Sequence, residues 1–216
     1  MEKPKRWLVV PGEVITDKRV KLGPNVFVEG GKVYAKVVGL AEISNGMARV
    51  IPLEGRYVPK PGDSVIGIIV DIKIPGYDVD INSPYSAFLP KDELTGDAGY
   101  GDIIVATVKH VDEVRTALLE KASVLKGGEL ITIRPTRVPR VIGKRGSMLN
   151  VLKDLTGVSI LVGANGRIWV SGANADIVKD AIYMIEREAH TTGLTDRVTK
   201  FIKESLSAKE RDKDEK

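Results

Sequence analysis

A short segment with two glycines and two cations has the clearest chemistry in the sequence. It reads Gly143-Lys-Arg-Gly146 and is followed by Ser147. Because glycine has no Cβ, the main chain can turn tightly at both positions and approach a bound group closely. Lys144 and Arg145 lie between the glycines, where they can contact phosphate groups directly. These residues in this order predict a loop that binds an anionic polymer backbone.

Helix signals lie on both sides of this loop. Before it, Val138, Val141 and Ile142 share one helical face. Pro139 suits the first turn of that helix. After the loop, apolar residues recur at helical spacing, so we expect a second helix to begin at about Ser147, with the serine as its N-cap. The N–H groups at that helix start would add to the anion site.

The charge around the loop is of one sign. Residues 134 to 153 contain no acid and six cations, which are Arg134, Arg137, Arg140, Lys144, Arg145 and Lys153. The G-x-x-G spacing alone is weak, since Gly96 to Gly99 and Gly163 to Gly166 also fit it. Only the copy at Gly143 carries two cations between helix signals. We therefore predict that single-stranded RNA is bound by Arg137, Arg140, Ile142, Gly143, Lys144, Arg145, Gly146, Ser147 and Lys153. A solvated basic surface is the alternative.

The residues after the loop complete a small α+β unit. Val158 to Val162 and Arg167 to Ser171 have the composition of strands, joined by a turn at Gly163 to Gly166. A closing helix is expected from about Asn174. With one strand before the first helix, the order is β-α-α-β-β-α. This order and the sequence Val141-Ile-Gly-Lys-Arg-Gly146 resemble the KH domain, in which the loop holds nucleotide backbones beside a groove for about four bases.

Two β-rich segments precede this unit. The first alternates short strand signals with glycine turns and has no paired acids, histidines or phosphate loop, so we expect a docking or packing module. After Pro59-Lys-Pro-Gly62, five strand signals with a long third connection fit a small Greek-key barrel. The openings Gly62-Asp-Ser-Val65 and Gly101-Asp-Ile-Ile104 resemble the S1-type RNA-binding OB fold.

Some side chains of the barrel are further candidates for RNA contact. They are Lys73, Tyr77, Phe88, Lys109, His110 and Arg115. Many S1-type barrels place aromatic residues shortly after a glycine on the second strand and a histidine near the third. Here those places fall near Asp78 and Leu89, so the resemblance does not imply base stacking by this barrel. Tyr77 and Phe88 are of a type more often found in a core.

Composition limits the classes of function. The chain has 216 residues, 43% of them apolar, which is enough to bury real cores, and its net charge of +4 is only mildly basic. The absence of cysteine excludes disulfides and thiolate zinc sites, and His110 and His190 are too few for an all-histidine metal cage. The first residues contain no apolar core of the length expected in a signal peptide, and no run approaches the roughly 20 apolar residues that a membrane span needs. We expect a soluble cytoplasmic protein with no membrane partner, metal or cofactor.

One pair of acids leaves an enzymatic alternative open. Asp78 and Asp80 lie two residues apart on a predicted strand and share a face, so they could hold a divalent metal or act as an acid/base pair. No third carboxylate or histidine lies at a helpful spacing. The glycine loop also lacks the lysine that follows the last glycine of a nucleotide-binding P-loop. We predict no catalytic residue, and we keep an RNA-processing enzyme that uses these acids as an alternative.

Residues 1–58, 59–124 and 125–202 thus form a β-module, an S1-type barrel and a KH domain, a multidomain α+β fold, with a charged tail at 203–216 that we expect to be disordered. The order of domains is informative in itself. Together with the segments Val28 to Leu40, Ser83 to Pro90, Arg137 to Ser147 and Glu188 to Arg197, it resembles the archaeal exosome cap subunit of the ribosomal-RNA-processing type.

This resemblance implies a non-catalytic subunit. Three copies would form a cap, pure or mixed with a zinc-ribbon cap subunit, on a hexameric ring of phosphorolytic, RNase PH-like subunits. The cap would capture single-stranded, adenine-rich RNA and feed its 3′ end into the ring for degradation. The runner-up is a transcription elongation factor with S1 and KH domains that acts with RNA polymerase. That family carries two KH units, whereas this sequence has one.

Overall fold

The structure, a computed structural model, describes residues 6–189 and 191–214, and its first compact unit ends at Gly55. The strands of that unit are β1 (Arg6–Val9), β2 (Val14–Thr16), β3 (Lys21–Leu22), β4 (Val26–Glu29), β5 (Lys32–Ala35), β6 (Gly39–Ser44) and β7 (Met47–Pro52). The strands of the second unit are β8 (Ser64–Ile72), β9 (Gly76–Asp80), β10 (Ser86–Pro90), β11 (Leu94–Thr95), β12 (Ile103–Val111), β13 (Thr116–Leu125), β14 (Glu129–Thr132), β15 (Ser159–Val162) and β16 (Arg167–Ser171). Its helices are α1 (Val138–Ile142), α2 (Ser147–Thr156), α3 (Ala175–Arg187) and α4 (Leu194–Asp214), with single 3-10 turns at Lys91–Glu93, Pro135–Arg137 and Lys144–Gly146.

The first unit consists of two small sheets, ordered β1-β6-β7-β3 and β2-β5-β4. They enclose a core of small and branched side chains that includes Val9, Val33 and Val50. The strand signals of the first segment include one continuous run from Lys32 to Leu40. The structure divides this run into β5 and β6, because the two halves pair in different sheets. The predicted N-terminal β-module is confirmed.

A row of charges crosses the first sheet. Glu42 on β6 is the cross-strand partner of Arg6 on β1 and Arg49 on β7. The Glu42 carboxylate is 1% exposed, and it accepts hydrogen bonds from Arg49 at 2.7 Å and Arg6 at 2.5 Å. The bonds from Arg49 and Arg6 outweigh the opposing effect of burial and lower the pKa of Glu42 to about 2. The ionised row therefore joins the three strands at any pH above about 2.

The second unit begins with a closed barrel. Its strands run β10-β9-β8-β12-β13, and β10 closes the ring by pairing in parallel with β13. Alternate side chains point inward, so Val65, Ile69, Leu89, Ile104 and Leu119 fill the interior. The predicted five-stranded barrel is confirmed. The sequence pattern indicates that its fifth strand runs from Thr116 to Lys121, and β13 extends beyond that range to Leu125.

The last domain packs helices against one face of a three-stranded sheet. The sheet is ordered β14-β16-β15, and its pairs are antiparallel. Ile131, Ile168 and Val170 of the sheet form one core with Leu152 of α2 and Ile182 of α3. The predicted β-α-α-β-β-α order is confirmed, and it places the glycine loop between α1 and α2.

The C-terminal segment differs from its prediction. We expected disorder from residue 203, but α4 continues to Asp214, while residues 215 and 216 lie outside the described residues. Leu194, Val198 and Ile202 recur every four residues and are buried in the core shared with α2 and α3. Lys209 also bonds to the Asp176 carboxylate at 2.8 Å. This apolar stripe accounts for the helix, and the many charges of the segment conceal it in the sequence. In the described residues, no helix has the length and apolar character to span a bilayer.

Candidate nucleic-acid interface

The loop after α1 has a backbone that requires glycine. Gly143 has φ 77° and ψ 175°, a region that only glycine readily adopts. A Cβ at Gly143 would lie 2.6 Å from the main-chain nitrogen of Met148, so the site also has no room for a side chain. Arg145 and Gly146 are both left-handed, with φ 54° and 80°. Around Gly146 the space is open, so its φ alone favours glycine.

The start of α2 differs in one residue from the prediction. We expected Ser147 as N-cap, but Gly146 occupies that position and Ser147 is the first helical residue, with φ −56° and ψ −42°. The left-handed turn at Gly146 leads directly into the helix, so Ser147 does not have the extended backbone that a capping serine uses. No side chain of the described residues caps this helix start. Its positive end is therefore available to an anion.

Five of the six predicted cations around the loop form no ion pair within the part of the chain that the structure describes. Arg140, Lys144 and Arg145 are exposed, whereas Arg137 and Lys153 are half-buried. Among the hydrogen bonds and ion pairs formed by residues 6–189 and 191–214, none involves the side chain of any of these five. Unpaired cations keep their full attraction for a phosphate chain. The structure thus brings Arg140, Lys144 and Arg145 to one end of α1 and places Arg137 at the other end.

Apolar side chains lie close to this loop. Ile142, the last residue of α1, is half-buried at the edge of the core, and Leu149 of α2 and Val162 of β15 are in a similar position. Each leaves part of its surface accessible, and Ile142 directly precedes the cationic loop. Such a surface can contact bases while the loop holds phosphates.

Three of the six barrel candidates already contact other residues of the fold. Tyr77 is 5% exposed and packs in the barrel core, so the structure contradicts its predicted role as an RNA contact. Lys73 donates to Asp78, which raises the pKa of Lys73. Lys109 lies 3.4 Å from Glu93 and 3.7 Å from Glu120. These cations are therefore balanced by neighbouring acids.

The other three barrel candidates show no shared site. Arg115 lies 5.9 Å from the ring centre of Tyr85, a cation–π contact. Phe88 is half-buried on β10 opposite Leu118, and His110 is exposed on β12. His190 lies outside the described residues. The barrel side chains thus remain weaker candidates than the loop of the KH domain.

The predicted turn at Gly163 to Gly166 joins the KH domain to the barrel, a role that the sequence did not reveal. Asn165, in the turn between β15 and β16, is 0% exposed. Its side-chain amide donates to the main-chain oxygens of Ile66 at 2.7 Å and Ile81 at 2.9 Å, and its oxygen accepts from the Ile66 N–H at 3.3 Å. The N–H of Ala164 donates to Ser64 O at 2.8 Å. The turn is therefore a joint between two domains.

The same joint engages Asp80, one of the two acids that the sequence offered as a metal site or an acid/base pair. The guanidinium of Arg167 donates to both the main-chain oxygen and the carboxylate of Asp80. Burial of Asp80 opposes its ionisation, but the bonds from Arg167 and from the N–H of Asn82 outweigh it, so the pKa of Asp80 lies below its ordinary value. Asp78 is paired with Lys73. In the described part of the chain, no three histidines or acids are grouped as metal ligands.

Comparison with known proteins agrees with this architecture. Residues 6–54 match the model of the Exosome RNA binding protein RRP4 N-terminal domain, and residues 128–176 match that of the KH domain. The chain is 45% identical to Exosome complex component Rrp4 of Thermococcus kodakarensis, over 91% of this chain and 85% of that protein. It is 46% identical to Exosome complex component Rrp4 of Methanothermus fervidus, over 93% of this chain and 97% of that protein.

The chain belongs to the Rrp4 family. A crystal structure of a candidate exosome complex RNA-binding protein superposes with a TM-score of 0.67 at 37% identity, over 72% of this chain and 99% of the other. The family that the sequence motifs indicated is confirmed. Membership in the Rrp4 family disfavours the alternative of a polymerase-associated factor.

Proposed function

We propose that this Rrp4-family chain is a non-catalytic, RNA-binding subunit of an exosome complex. It captures single-stranded RNA and presents the 3′ end to catalytic subunits that degrade it. One observation carries the proposal: the loop at Gly143–Gly146 places two cations, which form no ion pair with a described residue, beside a helix start that no described side chain caps. The names of the relatives, Exosome complex component Rrp4, support the setting.

The strength of such a site comes from phosphate contacts. Each cation that neutralises a phosphate releases counter-ions, so binding falls with salt, by a log–log slope of about 0.7 per contact on single strands. A few contacts give modest affinity. Several copies of the chain on one assembly would bind the same RNA at high effective concentration. The proposed arrangement is a trimeric cap, pure or mixed with a zinc-ribbon subunit.

The first unit is suited to docking. On the outer face of its sheet, Leu8 is 59% exposed and lies opposite Leu40, which pairs in turn with Ile51. Other exposed apolar side chains of the unit are Val10, Val14, Leu22, Val28, Val38, Ile43 and Met47. Apolar surface of this extent commonly marks a protein interface. In our proposal it contacts a hexameric ring of RNase PH-like subunits in the cytoplasm.

The chain itself is proposed to have no catalytic role. Asp80 is held by Arg167, and Asp78 is paired with Lys73, so each acid of the pair already has a cationic partner within the fold. A metal at Asp78 and Asp80 would compete with both partners. The preference for adenine-rich RNA rests on the family resemblance alone.

Reconstitution with the ring subunits of a related exosome tests this function. We expect the ring to degrade single-stranded RNA faster when the chain is present, and we expect the acceleration to be lost with Lys144→Asp and Arg145→Asp. The chain alone should leave RNA intact in Mg²⁺ and phosphate. RNA shortening by the chain alone that disappears with Asp78→Ala would show an enzyme instead. No acceleration and no association with the ring would contradict the assignment to an exosome.

A further inference from the structure

A second cationic cleft lies at the other end of α1 from the glycine loop. Its walls are the 3-10 turn Pro135–Arg137 and the C-terminal part of α3. It is lined by Arg134, Arg137, Tyr183, Glu186 and Arg187, and its volume is about 480 Å³. This size falls within the range of about 300–1,000 Å³ common for small-molecule sites. The cleft is large enough for a nucleotide.

The α3 wall of the cleft follows from helical spacing. Tyr183, Glu186 and Arg187 are at i, i+3 and i+4, so their side chains lie on one face of the helix. The opposite face, which includes Ile182 and Ile185, is buried in the core. Helix α3 is therefore fixed by its apolar side and presents an aromatic ring and a guanidinium on the other.

One carboxylate in the cleft has a structural role. Glu186 accepts a hydrogen bond from the main-chain N–H of Arg134 at 2.9 Å. This bond fixes the start of the 3-10 turn to α3. Arg137 and Arg187 bring two guanidinium groups to the cleft against this single carboxylate, which leaves an excess of positive charge. An anion is the ligand that this balance favours.

Arg137 and Arg187 are both suited to bind that anion. The Nε of Arg137 is enclosed and has no hydrogen-bond partner among the described residues, and its guanidinium forms no ion pair there. Arg187 is 77% exposed and lies 3.8 Å from Glu188, a contact that solvent weakens. Guanidinium groups match phosphate oxygens in pairs of hydrogen bonds. The ring of Tyr183, 42% exposed, can stack on a base.

We propose that this cleft binds a further nucleotide of the RNA strand that the glycine loop holds, with Arg137 and Arg187 on its phosphate and Tyr183 on its base. The inference rests on the proposed function. Helix α1 has five residues, a length of about 7.5 Å. A strand only a few nucleotides longer than the loop site can therefore reach both ends of α1.

The test compares two RNA lengths by fluorescence anisotropy on the full chain. We expect Arg137→Gln with Arg187→Gln to weaken a 12-nucleotide single strand about 25-fold at 0.1 M salt, from two contacts at about 0.7 log units each. Binding of a 4-nucleotide strand, which the loop site can hold alone, should not change. Tyr183→Leu should weaken the longer strand as well, whereas Tyr183→Phe should not.

Controls separate this proposal from the function on which it rests. Lys200→Gln with Lys203→Gln removes the same charge from exposed positions of α4 and should leave both strands bound. If the Arg137→Gln, Arg187→Gln variant fails to fold, the double variant Tyr183→Leu, Arg187→Gln replaces it in the test, because it changes only exposed residues. If the cleft variants bind the long strand with full affinity while the Lys144→Asp, Arg145→Asp variant binds it more weakly, the cleft proposal is overturned and the RNA-binding function stands. Full affinity of both variants would overturn the RNA-binding function too. Equal loss on both strand lengths would also contradict a separate second contact.

Discussion

The KH domain contains two glycine loops of the same spacing and opposite character. Gly143-Lys-Arg-Gly146 carries two exposed cations that form no ion pair with any described residue. Gly163-Ala-Asn-Gly166 carries no charge, and its asparagine is fully buried against the barrel. One loop leaves its binding groups available to a ligand, and the other uses them within the fold. The spacing of the glycines permits both outcomes, and the two residues between them decide which occurs.

The same contrast separates the cations of the two domains. On the barrel, Lys73 and Lys109 each have an acidic neighbour within 4 Å. Around the glycine loop, Arg140, Lys144 and Arg145 have none among the described residues. A net charge of +4 therefore underestimates the field at the loop, because much of the remaining positive charge is neutralised locally.

The largest expected effect concerns the buried loop. Asn165→Ala removes three hydrogen bonds and leaves the buried oxygens of Ile66 and Ile81 without this partner. We expect the free energy of unfolding to fall by about 3 kcal/mol. Urea unfolding of a Trp7→Phe background, in which Trp169 reports on the second unit, measures it. Asn150→Ala, an exposed control, should change it by less than about 0.5 kcal/mol. If Asn165→Ala lowered the free energy of unfolding no more than Asn150→Ala does, the joint would contribute no stability.

The cationic loop should respond to its two glycines unequally. Gly143→Ala meets both a forbidden backbone region and a close contact with Met148, so we expect a loss of about 2 kcal/mol of stability together with weaker RNA binding. Gly146→Ala meets only the left-handed φ, and a loss of about 1 kcal/mol is expected. Urea titrations and RNA anisotropy measure both. Equal losses would show that the contact with Met148 relaxes at no cost.

Charge reversal in the loop should affect binding and leave folding intact. We expect Lys144→Asp with Arg145→Asp to weaken single-stranded RNA at least 25-fold at 0.1 M salt, by about 0.7 log units per phosphate contact. Lys200→Asp with Lys203→Asp makes the same change in net charge on α4 and serves as the matched control. If the two double variants bound RNA equally, net charge rather than the loop would explain the affinity.

The smallest effect concerns the ion pair at the joint. Asp80→Asn should lower stability at pH 7 by less than about 1 kcal/mol, because the carboxylate is 44% exposed. Since the pKa of Asp80 lies below its ordinary 3.8, the pair stabilises the fold fully above that value and loses its effect as the pH falls below it. The difference in unfolding free energy between wild type and variant should therefore shrink from pH 7 to pH 2. A difference independent of pH would contradict this role of the pair.

The sequence predicted the fold well where periodicity was strong. The start of α2 at Ser147, the strand from Arg167 to Ser171 and the five barrel strands follow from apolar spacing and glycine turns. It failed at α4, because the charges of that segment dominate its composition, although Leu194, Val198 and Ile202 lie four residues apart and are all buried. Local patterns do not encode which residues of other elements will cover a segment.

The sequence indicated where the cationic loop lies, and RNA binding by that loop stays a prediction, whereas the contacts around the loop could not be predicted. The residue types of Lys144 and Arg145 indicated the cationic loop directly. The role of Asn165 depends on contacts with residues 99 and 84 positions away, and nothing in its neighbourhood signals them. Tyr77 illustrates the same limit, because an aromatic residue on a strand can face either side, and only the closed barrel shows that it faces inward.

The most direct test of the central claim is the salt dependence of RNA binding by the full chain. A plot of log affinity against log salt should be linear for the wild type, and the Lys144→Asp, Arg145→Asp variant should reduce its slope by about 1.4, for two lost phosphate contacts. An unchanged slope in the folded variant, or no binding of single-stranded RNA by the wild type at low salt, would contradict the account.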